Sequence, residues 1–292
     1  MTAATQIPVL TITLFRLGRV SNLPTVWTNV LAGAALAGSG WLSWQFALVL
    51  LAMSLLYIGG MYLNDYFDRA IDAKERPERP IPSGAISARS VVGIAAGLHA
   101  AGLVLVAATG VLDAVVAAVM LAGTITFYDA HHKRNPFAPA VMGACRALVY
   151  VTAAAALAGG VTMFVITAAT AVAAYVAGLT YAARQESLDK VGNLWPLALL
   201  AAPMVVGLPA LQHGPGAIAI YLLLPVLVAA AVWLLAKRPA AGSVSRAVGW
   251  LIAGISLCDA ALLASINETT LALVAVGGFA ATLVAQKYVA GT

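Results

Sequence analysis

Charge is what this sequence has least of. Only 9% of its 292 residues are Asp, Glu, Lys or Arg, while 62% are hydrophobic. Soluble domains carry roughly 25% charged residues. So few charges cannot cover the surface of a water-soluble chain of this length, which excludes a cytosolic enzyme, a nucleic-acid reader and a disordered protein. Cysteine is scarce too. Cys145 and Cys258 both lie inside apolar runs, which argues against a disulfide or a metal thiolate site and for buried free thiols. No linker is visible, so one domain over residues 1–292 is expected. The first apolar stretch carries Asn22, Pro24 and Asn29 and lacks an uncharged core with a small-residue cleavage site, which argues against a cleavable leader.

What is abundant is hydrophobic length. Apolar runs fall at about 20–38, 44–63, 88–108, 111–128, 138–158, 162–182, 193–211, 217–236, 246–265 and 270–288. At about 20 residues per crossing, these predict an all-α polytopic transmembrane bundle of nine to ten spans. Lys and Arg fall in alternate loops. Arg16 and Arg19 precede the first run, and Arg69, Lys74, Arg76, Arg79 and Arg89 follow the second. Lys133 and Arg134 follow the fourth run, Arg184 and Lys190 the sixth, and Lys237, Arg238 and Arg246 the eighth; Lys287 is near the end. The opposite loops have neither residue. The positive-inside rule therefore places the charged loops and both termini in the cytoplasm, in a multi-pass protein of the cell membrane. The formal charge of +5 then reads as topology and attraction to anionic headgroups, not nucleic acid.

Most acids follow the same side, and the densest group is Asn64-Asp65-Tyr66-Phe67-Asp68-Arg69-Ala70-Ile71-Asp72. If the second helix continues through it, Asp65, Asp68 and Asp72 share one face within two turns. They sit at a helix C-terminus, where the macrodipole disfavours negative charge, so a cation must compensate. Oxygen-only ligands suit Mg²⁺, which is held by a few carboxylates together with substrate phosphates; Arg69, Lys74 and Arg76 are the protein alternative. Pro77, Pro80 and Pro82 then enforce a structured loop, Arg79-Pro80-Ile81-Pro82-Ser83-Gly84. Arg79 is either a phosphate contact or a topogenic charge.

Asn64, Asp65, Asp68 and Asp72, followed by Arg79 to Gly84, resemble the first aspartate-rich motif and loop of the UbiA superfamily of intramembrane prenyltransferases. The helix pattern extends the resemblance over about residues 16–265. It implies a single transmembrane prenyltransferase-like domain, usually of nine spans with a polar cap on the cytoplasmic side; the tenth run departs from that count. It also implies transfer of a prenyl group from a prenyl diphosphate, with Mg²⁺, to a lipid-soluble and often aromatic acceptor. Asp65, Asp68 and Asp72 then hold metal, Lys133 assists the leaving diphosphate, and Asn64, Arg79, Tyr128, Tyr181 and Arg184 contact substrate.

Tyr128 and Lys133 match the Tyr and Lys that the family keeps after its fourth helix. His131 and His132 lie between them, and adjacent positions do not face each other on a helix, which argues against a shared metal. The family's second motif, usually Asp-x-x-x-Asp, falls on Gln185 to Asp189, so its first acid is an amide. An amide oxygen carries no net charge, so Asp189, helped by Glu186, is expected to hold the second metal. Arg146, inside the fifth run, needs a partner at bilayer depth: a substrate diphosphate or Asp259. Asp259 and His99 read as structural. Arg19 and Asn22 read as acceptor contacts or as packing and topogenic residues. Two other functions use the same features. A membrane terpene cyclase needs the metal site and no acceptor; a carrier for a prenylated precursor is favoured by Gln185.

Overall fold

A computed structural model describes residues 11–40, 42–133, 135–158, 160–184 and 193–291. Among these residues the chain is helical, without strands. A helical strap over residues 11–17 and a 3₁₀ turn at Val20–Asn22 lead into α1 (Leu23–Leu36). Then follow α2 (Trp44–Glu75), α3 (Ala88–Ala107), α4 (Leu112–His131), α5 (Ala138–Ala158) and α6 (Met163–Arg184). After the irregular segment Trp195–Gln212, which contains α7 (Ala202–Gly207), come α8 (Pro215–Lys237), α9 (Ser243–Ala253), α10 (Ile255–Ser265) and α11 (Thr269–Ala285). All ten apolar runs are helical. Eight segments among the described residues are long and apolar enough to cross a membrane. The 14 residues of α1 and 17 of α11 rise only about 21 and 26 Å, short of a hydrocarbon core of about 30 Å.

Local chemistry explains the departures from regular helix. The seventh run is not one α-helix but alternates 3₁₀ and α pieces, with Pro196, Pro203 and Pro209 each within the first two positions of its piece. Each proline removes an N–H donor and clashes with the preceding turn, so the ladder restarts three times. The ninth run breaks at Gly254, between α9 and α10. Ser43 and Ser87 start α2 and α3 by accepting from the N–H groups of Phe46 and Ser90 at 3.1 and 3.0 Å.

The bundle has two apolar cores that meet at α1 and α5. One gathers α1, α5, α6 and the helices after residue 195; the other gathers α1 to α5. Small residues let the central helices close up. At Gly33 an added Cβ would stand 2.8 Å from the carbonyl oxygen of Tyr150, and at Gly143 it would strike the backbone of Ala173. Backbone cannot swing aside as a side chain does. Gly33→Ala is therefore expected to destabilise the protein by about 1–3 kcal/mol, read as a lowered Tm in detergent; an unchanged Tm would show that α1 and α5 are not in close contact.

The 32 residues of α2 rise about 48 Å, some 18 Å more than the hydrocarbon core requires. Counted from Trp44, the excess begins near Asn64. The aspartates therefore stand on the part of the helix that emerges from the membrane.

Candidate active site

The helix does continue through the aspartate run, and Asp65, Asp68 and Asp72 are buried on one face, 6%, 6% and 5% exposed. Negative charge here opposes the helix dipole, and the compensation comes from far along the chain. Arg19 Nη2 lies 3.3 Å from Asp65 Oδ1, and Arg79 Nη1 lies 3.0 Å from the same oxygen and 3.6 Å from Asp72 Oδ2. Lys133 Nζ is 3.3 Å from Asp68 Oδ2, and His132 Nε2 is 3.5 Å from Asp68 Oδ1. The sequence-adjacent candidates do otherwise. Arg69 lies over the Tyr66 ring, 4.2 Å from its centroid, and donates to the Tyr66 carbonyl; Lys74 and Arg76 are exposed.

Each cation is positioned by its own local structure. The strap packs Leu14 and Leu17 against Tyr62, Val91 and Ala95, and the Tyr62 hydroxyl donates to the Leu14 carbonyl at 3.0 Å. Arg19 ends it in the left-handed region, φ 42°, a conformation costing a non-glycine residue about 1 kcal/mol or more. Its guanidinium then reaches Asn64 Oδ1 at 3.3 Å as well as Asp65. The proline loop is compact, as expected: Ser83 N–H donates to the Arg79 carbonyl at 2.9 Å, and Ile81 and Ile86 pack into the strap cluster. Arg184 Nη2 donates to the carbonyls of His132 and Asn135 at 2.6 and 3.1 Å, clamping the α4–α5 loop that carries Lys133. Arg184 thus braces the loop that carries Lys133. Tyr128 stacks on His132, ring centroids 5.0 Å apart. The Tyr181 hydroxyl donates to the Asn193 carbonyl at 2.8 Å.

Asp129 is a member of this site that the sequence reading did not single out. It is 4% exposed, its Oδ1 accepts from Asn64 Nδ2 at 3.2 Å, and its Oδ2 has no partner among the described residues. Nothing in the loop sequence marks it; only the packing of α4 on α2 buries it beside Asn64. Gln185, Glu186, Asp189 and Lys190 lie outside the described residues, as does Arg134.

The arrangement suits a divalent cation brought with a phosphate ligand. The donors are carboxylate oxygens on one face, and protein cations already stand against each of them. Among the described residues, no three acidic, His or Cys side chains are close enough to cage an ion unaided. Mg²⁺ takes one or two carboxylates and completes its shell from substrate phosphate and water. Asp65, Asp68 and Asp72 face three permanent cations, Arg19, Arg79 and Lys133. A diphosphate would upset that near-balance unless positive charge entered with it.

Arg146 stands apart. Its Nη1 donates to Asn29 Oδ1 at 3.0 Å, and Asn29 Nδ2 donates to both oxygens of Asp259 at 2.9 and 2.8 Å. The Tyr150 hydroxyl also donates to Asp259, which is fully buried. Asp259 is thus linked to Arg146, but through an amide and not by a direct ion pair. His99 packs against Gly59, with Nδ1 3.0 Å from the Ala95 carbonyl, as a helix-packing residue.

Sequence comparison gives the class of protein that this fold and site define. The sequence model of the UbiA prenyltransferase family matches residues 26–242. The chain belongs to that family. Among curated proteins, it is 31% identical over 178 residues to a digeranylgeranylglyceryl phosphate synthase of Natronomonas pharaonis, covering 60% of this chain and 62% of that one. It is 39% identical over 101 residues to the protein so named in Ignicoccus hospitalis, covering 35% and 33%. The first of the curated relatives are thus matched over only a third to two-fifths of their length. Two solved structures have the same fold: a UbiA homologue from Aeropyrum pernix K1 (TM-score 0.65, 19% identity, 85% of this chain and 98% of that one) and one from Archaeoglobus fulgidus bound to GPP and Mg²⁺ (TM-score 0.59, 14% identity, 86% and 99%).

Proposed function

We propose that this protein transfers a prenyl group from a prenyl diphosphate to a lipid-soluble acceptor within the membrane, with Mg²⁺ at the face of α2. One observation carries the reading: Asp65, Asp68 and Asp72 converge with Arg19, Arg79, His132 and Lys133 where α2 leaves the membrane. The second aspartate cluster is assigned to Asp189 and Glu186. The side-chain cations do the rest of the electrostatic work. Lys133 is half-exposed at the rim, a point charge suited to a diphosphate oxygen. Arg79, on its proline-stiffened loop, can exchange one carboxylate for a second phosphate oxygen. Asn64, buried beside Asp65, and Tyr128 complete the site.

In the reaction, the bond from the allylic carbon to the diphosphate oxygen breaks and its electron pair leaves with diphosphate. The acceptor forms the new bond to that carbon and gives up a proton. Bound Mg²⁺ supplies Lewis-acid charge that offsets the charge developing on the leaving group. Preorganised cations contribute most, because they need not reorganise as the bond breaks. The prenyl chain lies among apolar helices, and the loops of the site face the cytoplasm, which the one-sided Lys and Arg distribution supports.

The relatives' shared name favours a prenylated glyceryl phosphate over an aromatic acceptor. The test is the mass of the product. Purified protein in liposomes receives geranylgeranyl diphosphate, Mg²⁺, and either geranylgeranylglyceryl phosphate or a hydroxybenzoate. A digeranylgeranyl product with the first acceptor only is the expected result. A prenylated aromatic ring would return the aromatic assignment. Diphosphate release with a cyclised hydrocarbon and no acceptor adduct would replace transfer by cyclisation.

A further inference from the structure

Arg146 is a charged side chain about two helical turns inside the bundle from the aspartates, and none of its partners among the described residues is one of them. Its guanidinium lies over the Tyr57 ring, 5.7 Å from the centroid. Tyr57 precedes Asp65 by eight positions on α2, about 12 Å of helix rise. Arg146 therefore stands deeper in the bundle than the aspartates.

The side chain is fixed yet largely unused. Asn29 is oriented unambiguously, because its amide nitrogen must face the Asp259 carboxylate, which leaves its oxygen for Arg146. Asp259 balances the buried charge across that amide. It takes none of the guanidinium's hydrogen bonds. Beyond the bond to Asn29, no other hydrogen bond of this guanidinium occurs among the described residues. Arginine has five N–H donors in a rigid fork. The side chain is only partly buried where α1, α2 and α5 meet, so the donors that Asn29 leaves over keep some access. A pre-aimed donor fork with unfilled N–H groups suits an oxyanion.

We propose that Arg146 binds an anionic group of the acceptor, and so selects acceptors that carry an oxyanion a few ångströms from the atom to be prenylated. This rests on the transferase reading and deepens it. The oxyanion belongs either to a phosphate-bearing lipid alcohol or to an aromatic carboxylate; both chemistries fit a planar fork. The separation between Arg146 and the aspartates leaves room for the allylic carbon and the nucleophilic atom between two anions.

The experiment is equilibrium binding to protein in nanodiscs without donor. The probes are geranylgeranylglyceryl phosphate, its dephosphorylated alcohol, a hydroxybenzoate and the matching phenol. Wild type is expected to bind one of the two oxyanion probes at least tenfold more tightly than its uncharged counterpart, and which one identifies the source. Arg146→Gln is expected to lose about tenfold to a hundredfold in affinity for that probe. Its affinity for the uncharged counterpart, and for geranylgeranyl diphosphate with Mg²⁺, should stay within about twofold of wild type. Should Arg146→Gln fail to fold, Arg146→Lys keeps the charge without the fork, and should show a reduced but persistent preference for the oxyanion. The proposal is overturned by any of three results: no oxyanion preference in wild type, the same preference in Arg146→Gln, or an equal loss of donor binding. Failure of the transferase reading shows elsewhere, as an absence of Mg²⁺-dependent binding of geranylgeranyl diphosphate by wild type.

Discussion

Asp68→Asn is expected to lower Mg²⁺-dependent prenyl transfer by about a thousandfold or more while the protein keeps its fold. The expectation comes from weighing two magnitudes. Removing one anionic oxygen from a metal–diphosphate site forfeits several kcal/mol of charge stabilisation, and about 4 kcal/mol is a thousandfold. The fold loses far less. The ion pair of Asp68 with Lys133, whose side chain is 47% exposed, is worth no more than about 1 kcal/mol, and an amide oxygen at this position can still accept from His132 Nε2. Asp65→Asn behaves differently. Asp65 pairs with Arg19 and Arg79, whose side chains are 19% and 17% exposed. Neutralising it leaves two largely buried guanidinium groups under-compensated, at about 3 kcal/mol. Relief of repulsion among the carboxylates does not offset this, because each already faces a cation. Asp65→Asn should therefore lose both activity and thermal stability, and Asp68→Asn activity alone. Thermal unfolding of the two variants in one detergent, beside their turnover, checks the split; equal stability losses would show that the Arg19 and Arg79 pairs are not formed.

The second large effect concerns stability. Asp259→Ala is expected to destabilise the protein by about 3–5 kcal/mol. The carboxylate has no solvent exposure and accepts from Asn29 twice and from the Tyr150 hydroxyl. Truncation leaves the charge of Arg146 unbalanced at bilayer depth and strands buried donors on α1 and α5. It also releases Asn29, so the guanidinium loses its aim. Asp259→Asn still accepts hydrogen bonds and should cost clearly less. Tm values should fall in the order wild type, Asp259→Asn, Asp259→Ala. A Tm of Asp259→Ala within a degree or two of wild type would remove the network from the account of the bundle centre.

Much of this architecture was legible in the residues, and the limits have physical causes. Apolar length located all ten helical runs, because a segment that must cross lipid satisfies its backbone internally whatever its neighbours do. The aspartate run was legible for the same reason: i, i+3 and i+4 spacing is a property of one helix. The proline-broken seventh run was read as regular although Pro196, Pro203 and Pro209 carry the signal. The ion partners could not be read. Proximity in sequence favoured Arg69, Lys74 and Arg76, whereas Asp65 pairs with Arg19, 46 residues away, and Asp68 with Lys133 of another loop. Those pairings depend on how a strap and a loop fold over the end of α2. Likewise, Arg146 and Asp259 each announced themselves as charges in apolar runs, but the amide of Asn29 between them is a consequence of how α1 packs.

The central claim is that the aspartate face of α2 ionises a prenyl diphosphate with Mg²⁺. The most direct measurement is diphosphate release from geranylgeranyl diphosphate by wild type and Asp68→Asn, in one liposome preparation with a membrane-lipid extract, titrated with Mg²⁺. Saturable Mg²⁺-dependent release by wild type, falling by about a thousandfold in Asp68→Asn at matched Tm, is the result expected. Release that is indifferent to Mg²⁺, or equal in the two proteins, would contradict it.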